Sequence, residues 1–279
     1  MNNWLAYLDH RRDEMSDLVI RLANVNSYSH NPQGLAALAE VLQSEFSTLK
    51  PDQTNTTTLS PATAISSAGE RIEWPLGKML SFTKRPNAPI QALLVIHYDT
   101  VYDPENPFQR ATKLDDDTIT GPGVADAKGG IVVLLNALAA FEQTDVAQNL
   151  GWRVILNPDE EIGSPGSAPL LAEAAKSAHL AMVFEPAPTP TAIVTQRKGS
   201  GNFSVACKGR SAHAGREIER GRNAVIAAAR FALDATAAIS AIPQATMNVG
   251  KIDGGGPVNV VPDLAILRFN VRVVTPDQQ

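Results

Sequence analysis

Cysteine is nearly absent from this sequence. The chain has 279 residues and one cysteine, Cys207. That excludes an internal disulfide and any cysteine-rich zinc site. Long runs of one charge are missing too: 24 Lys and Arg against 29 Asp and Glu leave a formal net charge of −5, spread along the chain. Without a basic tract, nucleic acid and anionic membranes are poor partners. The opening stretch MNNWLAYLDHRRDEM holds no apolar core of signal-peptide length, and acidic groups interrupt it. No uninterrupted apolar run is expected to reach membrane-spanning length. A cytoplasmic protein is the expectation. No internal repeat is visible. The composition, 44% hydrophobic and 19% charged, suits one large globular domain or two smaller ones.

What is present reads as alternating helices and strands. Residues 4–22 place Trp4, Leu5, Leu8, Met15, Leu18, Val19 and Leu22 at roughly helical spacing, and 33–47 predict a second helix. Residues 50–75 are polar, rich in Thr, Ser and Pro, and carry little signal. Three apolar runs of strand length follow, QALLVIHYD (91–99), WRVILN (152–157) and LAMVFEP (180–186), separated by helical stretches at 129–144 and 168–178. Continuous apolar strands alternating with helices predict an α/β domain with a mostly parallel sheet flanked by helices. Near residue 198 the texture changes. GNFSVACKG alternates like a half-exposed strand, 221–239 is a helix, and ATMNVGKIDGG and LAILRFNVRV read as antiparallel strands. The expected organisation is a domain over 1–197 and a smaller α+β domain over 198–279.

Each of the three apolar runs ends in residues that bind metals: His97 with Asp99, Glu160 with Glu161, and Glu185. In open α/β sheets, sites form beyond the carboxyl ends of the strands. His97 and Asp99 are two apart, so both face one way on an extended strand, and Asp99 could accept from the ring nitrogen turned away from a metal. Asp126 lies in the glycine-rich turn GPGVADAKGG. That turn is no P-loop, because Gly129 stands where a Ser or Thr hydroxyl is needed after Lys128. Asp126 reads either as a helix cap or as a carboxylate bridging two metal ions. Asp159-Glu160-Glu161 reads either as a solvated acidic loop or as a split between a ligand and a base, since neighbours on extended chain point opposite ways.

The motifs VIHYDTV, GPGVADAKGG, DEEIGSPGS, FEPA and GRSAHAG occur in this order. Together they resemble the M20 family of dinuclear zinc peptidases and amidohydrolases, which includes glutamate carboxypeptidase, acetylornithine deacetylase and succinyl-diaminopimelate desuccinylase. The resemblance runs from about residue 90 to the end. RKGSGNFSVACKGRSAHAG and GGGPVNVVPD bring it nearest to the glutamate carboxypeptidase-like branch. It implies a zinc-peptidase-like catalytic domain, a smaller ferredoxin-like lid or dimerisation domain, and a homodimer. It implies two Zn²⁺, with Co²⁺ or Mn²⁺ as substitutes. His97 and Glu185 would bind the first zinc, Glu161 the second, and Asp126 both. Asp99 would steer the ring of His97 and Glu160 would act as general base. His213 would stabilise the oxyanion across the dimer. Asn259 and Arg272 would grip a substrate carboxylate, Arg through its planar fork. The bond after the bridging Asp, here Asp126–Ala127, is often cis in the family. The implied activity is hydrolysis of an amide or peptide bond in a small carboxylate-bearing substrate, an N-acyl amino acid or a C-terminal residue.

The sequence departs from the family at one ligand. The second zinc takes a late histidine, and none of the five histidines here follows His213. The expectation is a C-terminally truncated chain with a weakened second metal site and poor activity. The alternative reading is a non-catalytic scaffold or dimerising fragment of such an enzyme.

Overall fold

The computed structural model describes residues 3–189 and 191–278. The side chains of Trp4 and Leu5, part of the first expected helix, lie outside the described residues. The chain forms two compact units, Met1–Ala62 with Trp74–Pro190 and Thr63–Glu73 with Thr191–Gln279. The second unit thus takes in residues 63–73 as well as the stretch expected from 198 onward.

The first unit starts with α1 (Asn3–Asp9), α2 (Arg12–Ala23) and α3 (Pro32–Ser47). One helix was expected over 4–22; two form. Residues 9–14, DHRRDE, are all polar, so no side chain pins that turn to a core. Asn31 starts α3 by accepting from the Gly34 N–H at 3.1 Å, ahead of Pro32 at the first helical position. Then come β1 (Gln53–Thr58), β2 (Ala62–Ile65), β3 (Arg71–Trp74), β4 (Lys78–Lys84), β5 (Ile90–His97) and a short pair, β6 (Thr112–Lys113) with β7 (Ile119–Thr120). An irregular turn, Val124–Lys128, leads into α4 (Gly129–Phe141), followed by β8 (Leu150–Asn157), α5 (Ala168–Ala175) and β9 (Leu180–Val183).

The main sheet runs β1-β4-β8-β5-β9. β5 pairs in parallel with both β8 and β9, whereas β1–β4 and β4–β8 are antiparallel. The sheet is therefore mixed, and the expectation of mostly parallel pairing holds only for its apolar half. β1, QTNTTT, is exposed along its length and gives no hydrophobic signal. Leu22, Leu35, Leu38, Leu42 and Phe46 of α2 and α3 pack with Phe82, Leu94, Ile96, Trp152 and Val154 of the sheet and with Ile131, Leu134 and Leu135 of α4. Taken through turn and helix, Val124–Phe141 is long and apolar enough to cross a membrane by length and composition, although Asp126 and Lys128 interrupt it. Its Ile131, Val132, Leu134, Leu135 and Leu138 are packed in this core, so burial against the sheet accounts for its composition.

The second unit consists of β10 (Gly199–Lys208), α6 (Ala224–Ser240), β11 (Thr246–Gly254) and β12 (Leu264–Val273), with the β2–β3 hairpin. The strands pair antiparallel in the order β10-β12-β11. On one face of central β12, Ala265 packs against Ala224 and Ala228 of α6. Phe269, two strand periods along, has its ring 5.9 Å from that of Phe231. Leu264, Ile266 and Arg268 point to the opposite face, where Arg268 Nη2 donates to the Ile65 carbonyl at 2.8 Å. Both faces of the first part of β12 are covered, which explains its apolar run Leu264–Leu267, whereas Arg268, Asn270 and Arg272 line one face beyond it.

Candidate metal centre

The parallel pairing of β5, β8 and β9 sets their carboxyl ends side by side, with His97 opposite Asn157 and Val95 opposite Val183. The residues just past these ends are those read from the sequence. His97 is buried at the end of β5. Its Nδ1 lies 3.1 Å from the Asp99 carbonyl and 3.2 Å from Asp99 Oδ1. Both neighbours are acceptors, so the Nδ1 proton belongs there, and Nε2 is turned to the carboxylates: 2.9 Å from Asp126 Oδ1 and 3.6 Å from Glu185 Oε1.

Asp99 is fully buried and saturated with donors. Oδ1 accepts from the Glu160 N–H at 3.1 Å and faces His97 Nδ1. Oδ2 accepts from the Glu161 N–H at 3.2 Å and from Ser29 Oγ at 2.7 Å. Glu160–Ile162 form one tight 3₁₀ turn. The extended-chain argument for Glu160 and Glu161 facing apart is therefore corrected: a turn pinned at two amides, not strand alternation, separates them. Asp159 stands apart from both. It is buried and accepts from the Gly166 and Ser167 amides at 2.8 and 3.0 Å and from the Ser167 hydroxyl at 2.5 Å, closing the loop into α5.

Asp126 reaches the group from the Val124–Lys128 turn. Gly123 enters that turn at φ 72°, and a Cβ there would lie 2.7 Å from the Thr100 side chain. The Asp126–Ala127 bond is cis, as the resemblance implies. Behind it, the buried Lys128 donates to the Val25 carbonyl at 2.9 Å, and burial alone pushes its ammonium down to about 7.

The ligand atoms fall into two overlapping groups, His97 with Asp126 and Glu161, and His97 with Glu160 and Glu185, each within 4.8 Å. Imidazole and carboxylate donors suit zinc, and the two sets share His97 and lie side by side. Among the described residues no Lys or Arg pairs with these carboxylates; His97 is their one cationic partner. Without cations the cluster holds its protons tightly. Burial lowers the affinity of His97 for a proton, but bonds to Asp99 and Glu185 outweigh it and raise the imidazole to about 11. Burial raises Glu161 to about 7, opposed by His97 and reinforced by Asp126, Asp99 and Glu160. Glu160 is raised by burial in the same way. Divalent cations would offset this repulsion, so the donor set fits them.

Three sequence candidates lie in the second unit. His213 is exposed and bridges Val260, and the next amide, of Ala214, donates to the Asn259 carbonyl at 2.9 Å, so His213 and Asn259 are neighbours. Arg272 is not with them. The ladder pairs Lys208 with Leu264 and Ser200 with Arg272, and continues past Leu264 through the Gly209 N–H to the Asp263 carbonyl and on to Asn259. At ~3.3 Å per residue the length of β12 alone puts Arg272 more than ~20 Å from Asn259. Within this chain β12 therefore holds the two residues apart. Sequence reading also missed Ser29. It lies 70 residues from Asp99, and a small polar residue in the loop between two helices was its one trace.

Carboxypeptidase G2 from Pseudomonas sp. (strain RS-16) is 28% identical over 257 residues, covering 90% of this chain and 58% of that protein. A probable carboxypeptidase from Aspergillus terreus is 30% identical over 217 residues, covering 72% and 49%. The chain thus spans about half the length of these curated relatives. Among solved structures, an M20 family metallo-carboxypeptidase from Sulfolobus solfataricus superposes with TM-score 0.70 at 17% identity, over 95% of this chain and 72% of that one. A di-peptidase from Saccharomyces cerevisiae gives 0.69 at 12%, over 98% and 72%. These two show the fold. Residues 93–267 match the model of Peptidase family M20/M25/M40, a span that includes all three strand ends and the turn bearing Asp126, and the chain belongs to that family.

Proposed function

We propose that this chain carries the hydrolytic centre of a metal-dependent peptidase or amidohydrolase that cleaves an amide bond in a small substrate bearing a free carboxylate. The observation that carries this reading is the carboxylate cluster around His97, assembled at three aligned strand ends with no Lys or Arg paired to it among the described residues. The substrate class is supported by the relatives, which are carboxypeptidases by name. His97, Asp126, Glu161 and Glu185 would hold two divalent cations, zinc by the donor set. Such cations, when bound, polarise the scissile carbonyl and make nearby water more acidic. Asp99 keeps the His97 ring in the tautomer that presents Nε2. Glu160, on the turn fixed by Asp99, takes the proton of the attacking water and hands it to the leaving amine. The oxyanion role that the resemblance gives His213, and the homodimer, belong to the same proposal.

The test combines metal analysis with turnover. After equilibration with limiting Zn²⁺, wild type and Glu160→Gln should both retain metal and His97→Ala should lose it. Glu160→Gln should lower kcat on N-acyl amino acids or C-terminal peptide bonds by at least ~10²-fold. A wild-type chain that takes up no cation, or a Glu160→Gln variant with undiminished turnover, overturns the reading.

A further inference from the structure

We propose that Ser29 is a positioning residue for the metal centre, acting through Asp99. The inference rests on the metal reading above but concerns a residue outside every motif. Asp99 has two carboxylate oxygens, and each serves two donors. Oδ1 joins His97 Nδ1 to the Glu160 amide; Oδ2 joins the Ser29 hydroxyl to the Glu161 amide. One carboxylate therefore fixes the ring of one ligand and the turn that carries both glutamates. Its plane is fixed only if both oxygens are held. Ser29 makes the shortest of these four contacts, 2.7 Å, and it is the one donor that belongs to neither the ligand nor the turn.

The backbone holds Ser29 in place for this task. The Ser29 N–H donates to the Thr100 carbonyl at 3.2 Å and the Thr100 N–H donates to the Ser27 carbonyl at 2.9 Å, so residues 27–29 pair with the chain just after Asp99. Two residues earlier, the Val25 carbonyl receives Lys128 from the turn that carries Asp126. A single segment, 25–29, thus anchors two of the segments at the centre, the chain just after Asp99 and the turn that bears Asp126. Ser29 is 1% exposed, so water does not replace its hydroxyl. In Ser29→Ala the Asp99 carboxylate loses the bond that resists its rotation, and His97 and the 160–161 turn loosen together.

Two measurements on the 279-residue chain test this. The first uses no metal: amide hydrogen exchange of the cation-free protein. Ser29→Ala should speed exchange at Glu160 and Glu161 several-fold and leave the β8 amides of Val154 and Ile155 unchanged, while Ser29→Thr, which keeps the hydroxyl, restores protection. The second is Zn²⁺ titration by calorimetry, where Ser29→Ala should weaken binding by ~10–100-fold, the usual effect of removing a partner of a ligand's orienting group. Faster exchange throughout the unit would mean a merely structural role and overturn the proposal, as would unchanged exchange at 160 and 161. Failure of the wild-type chain to bind Zn²⁺ would strike the metal reading alone, because the exchange result still decides the role of Ser29.

Discussion

Asp159 spends its charge differently from the two glutamates that follow it. In the sequence the three form one acidic cluster. In the fold Asp159 meets only donors, the amides of Gly166 and Ser167 and the Ser167 hydroxyl, while Glu160 and Glu161 meet mainly other carboxylates. Residue type and spacing cannot separate these roles, since the donors to Asp159 come from backbone that folds back seven residues later. The site was legible where a strand end supplied a direction, as at His97, or a glycine-rich motif marked a turn, as at Asp126, and illegible in an unmarked loop, as at Ser29. The separation has a measurable consequence. Asp159→Ala leaves the buried Ser167 amide and the part-buried Gly166 amide without their acceptor and should lower stability by about 2–3 kcal/mol, with retained metal binding in the molecules that fold. Glu161→Gln should do the reverse, weakening Zn²⁺ binding with little loss of stability. Urea unfolding of the cation-free variants, beside their metal content, separates the two; equal destabilisation by both would refute the division.

Legibility followed unbroken apolar runs among the elements rather than burial: the exposed β9 was read and the buried β4 was not. β5 and β8 are buried on both faces and stand out as apolar runs, whereas β1 is exposed and reads as loop. β1 was lost for this reason, whereas β4 was lost although Met79–Phe82 are buried, because Ser81 and the flanking lysines break its apolar run. The elements are also tied at their ends, by groups that no periodicity reveals. Just past α4, Glu142 Oε2 accepts from Arg85 Nη1 at 2.9 Å, at the end of β4, and Oε1 accepts from Trp152 Nε1 in β8 at 2.8 Å. Arg85 Nε also holds the Leu150 carbonyl at 2.8 Å. Burial would raise the Glu142 carboxyl, but the bonds from Arg85 and Trp152 and the nearby charges of Arg85 and Lys84 outweigh it and hold it below the usual 4.5. A carboxyl with a depressed folded value binds its proton more weakly folded than unfolded. Its contribution is present at neutral pH and is lost as pH falls from the unfolded value through the folded one. Glu142→Gln, which can still accept from Trp152, should cost about 1–3 kcal/mol at pH 7. The difference from wild type should shrink as pH drops below about 4. Thermal melts across that range check this, and a pH-independent difference would show that packing, not charge, holds the joint.

At the scale of the whole molecule, the sequence suggested two contiguous domains, and the fold contains two units, each assembled from two separated segments. The change of texture near 198 marks where the alternating, half-exposed β10 follows the buried β5 and β8. It could not show that residues 63–73 belong with that later sheet: they are short and polar, and their tie to Arg268 spans 203 residues. The tie matters because the other face of the sheet has a thin core of small side chains, Ala224, Ala228 and Ala265 with Cys207 and Val225 beside them. The hairpin covers what α6 does not. Gly69, at φ 75°, turns so close to β12 that a Cβ there would meet Leu264 at 3.0 Å, and Ile266 lies alongside. Arg268 also pairs with Asp253 on β11, so its bond to the Ile65 carbonyl links the hairpin to two strands. Small domains bury too little surface to lose such a cover without loss of stability. A fragment of residues 191–279 should therefore lack a cooperative thermal transition and show rapid amide exchange along β12. In the intact chain, Arg268→Leu should selectively speed exchange in β12 and the hairpin while leaving β5 and β8 unaffected. A cooperative melt of the fragment, with β12 protected as in the intact chain, would mean that the contiguous domain read from the sequence is the folding unit and that the hairpin merely rests on it.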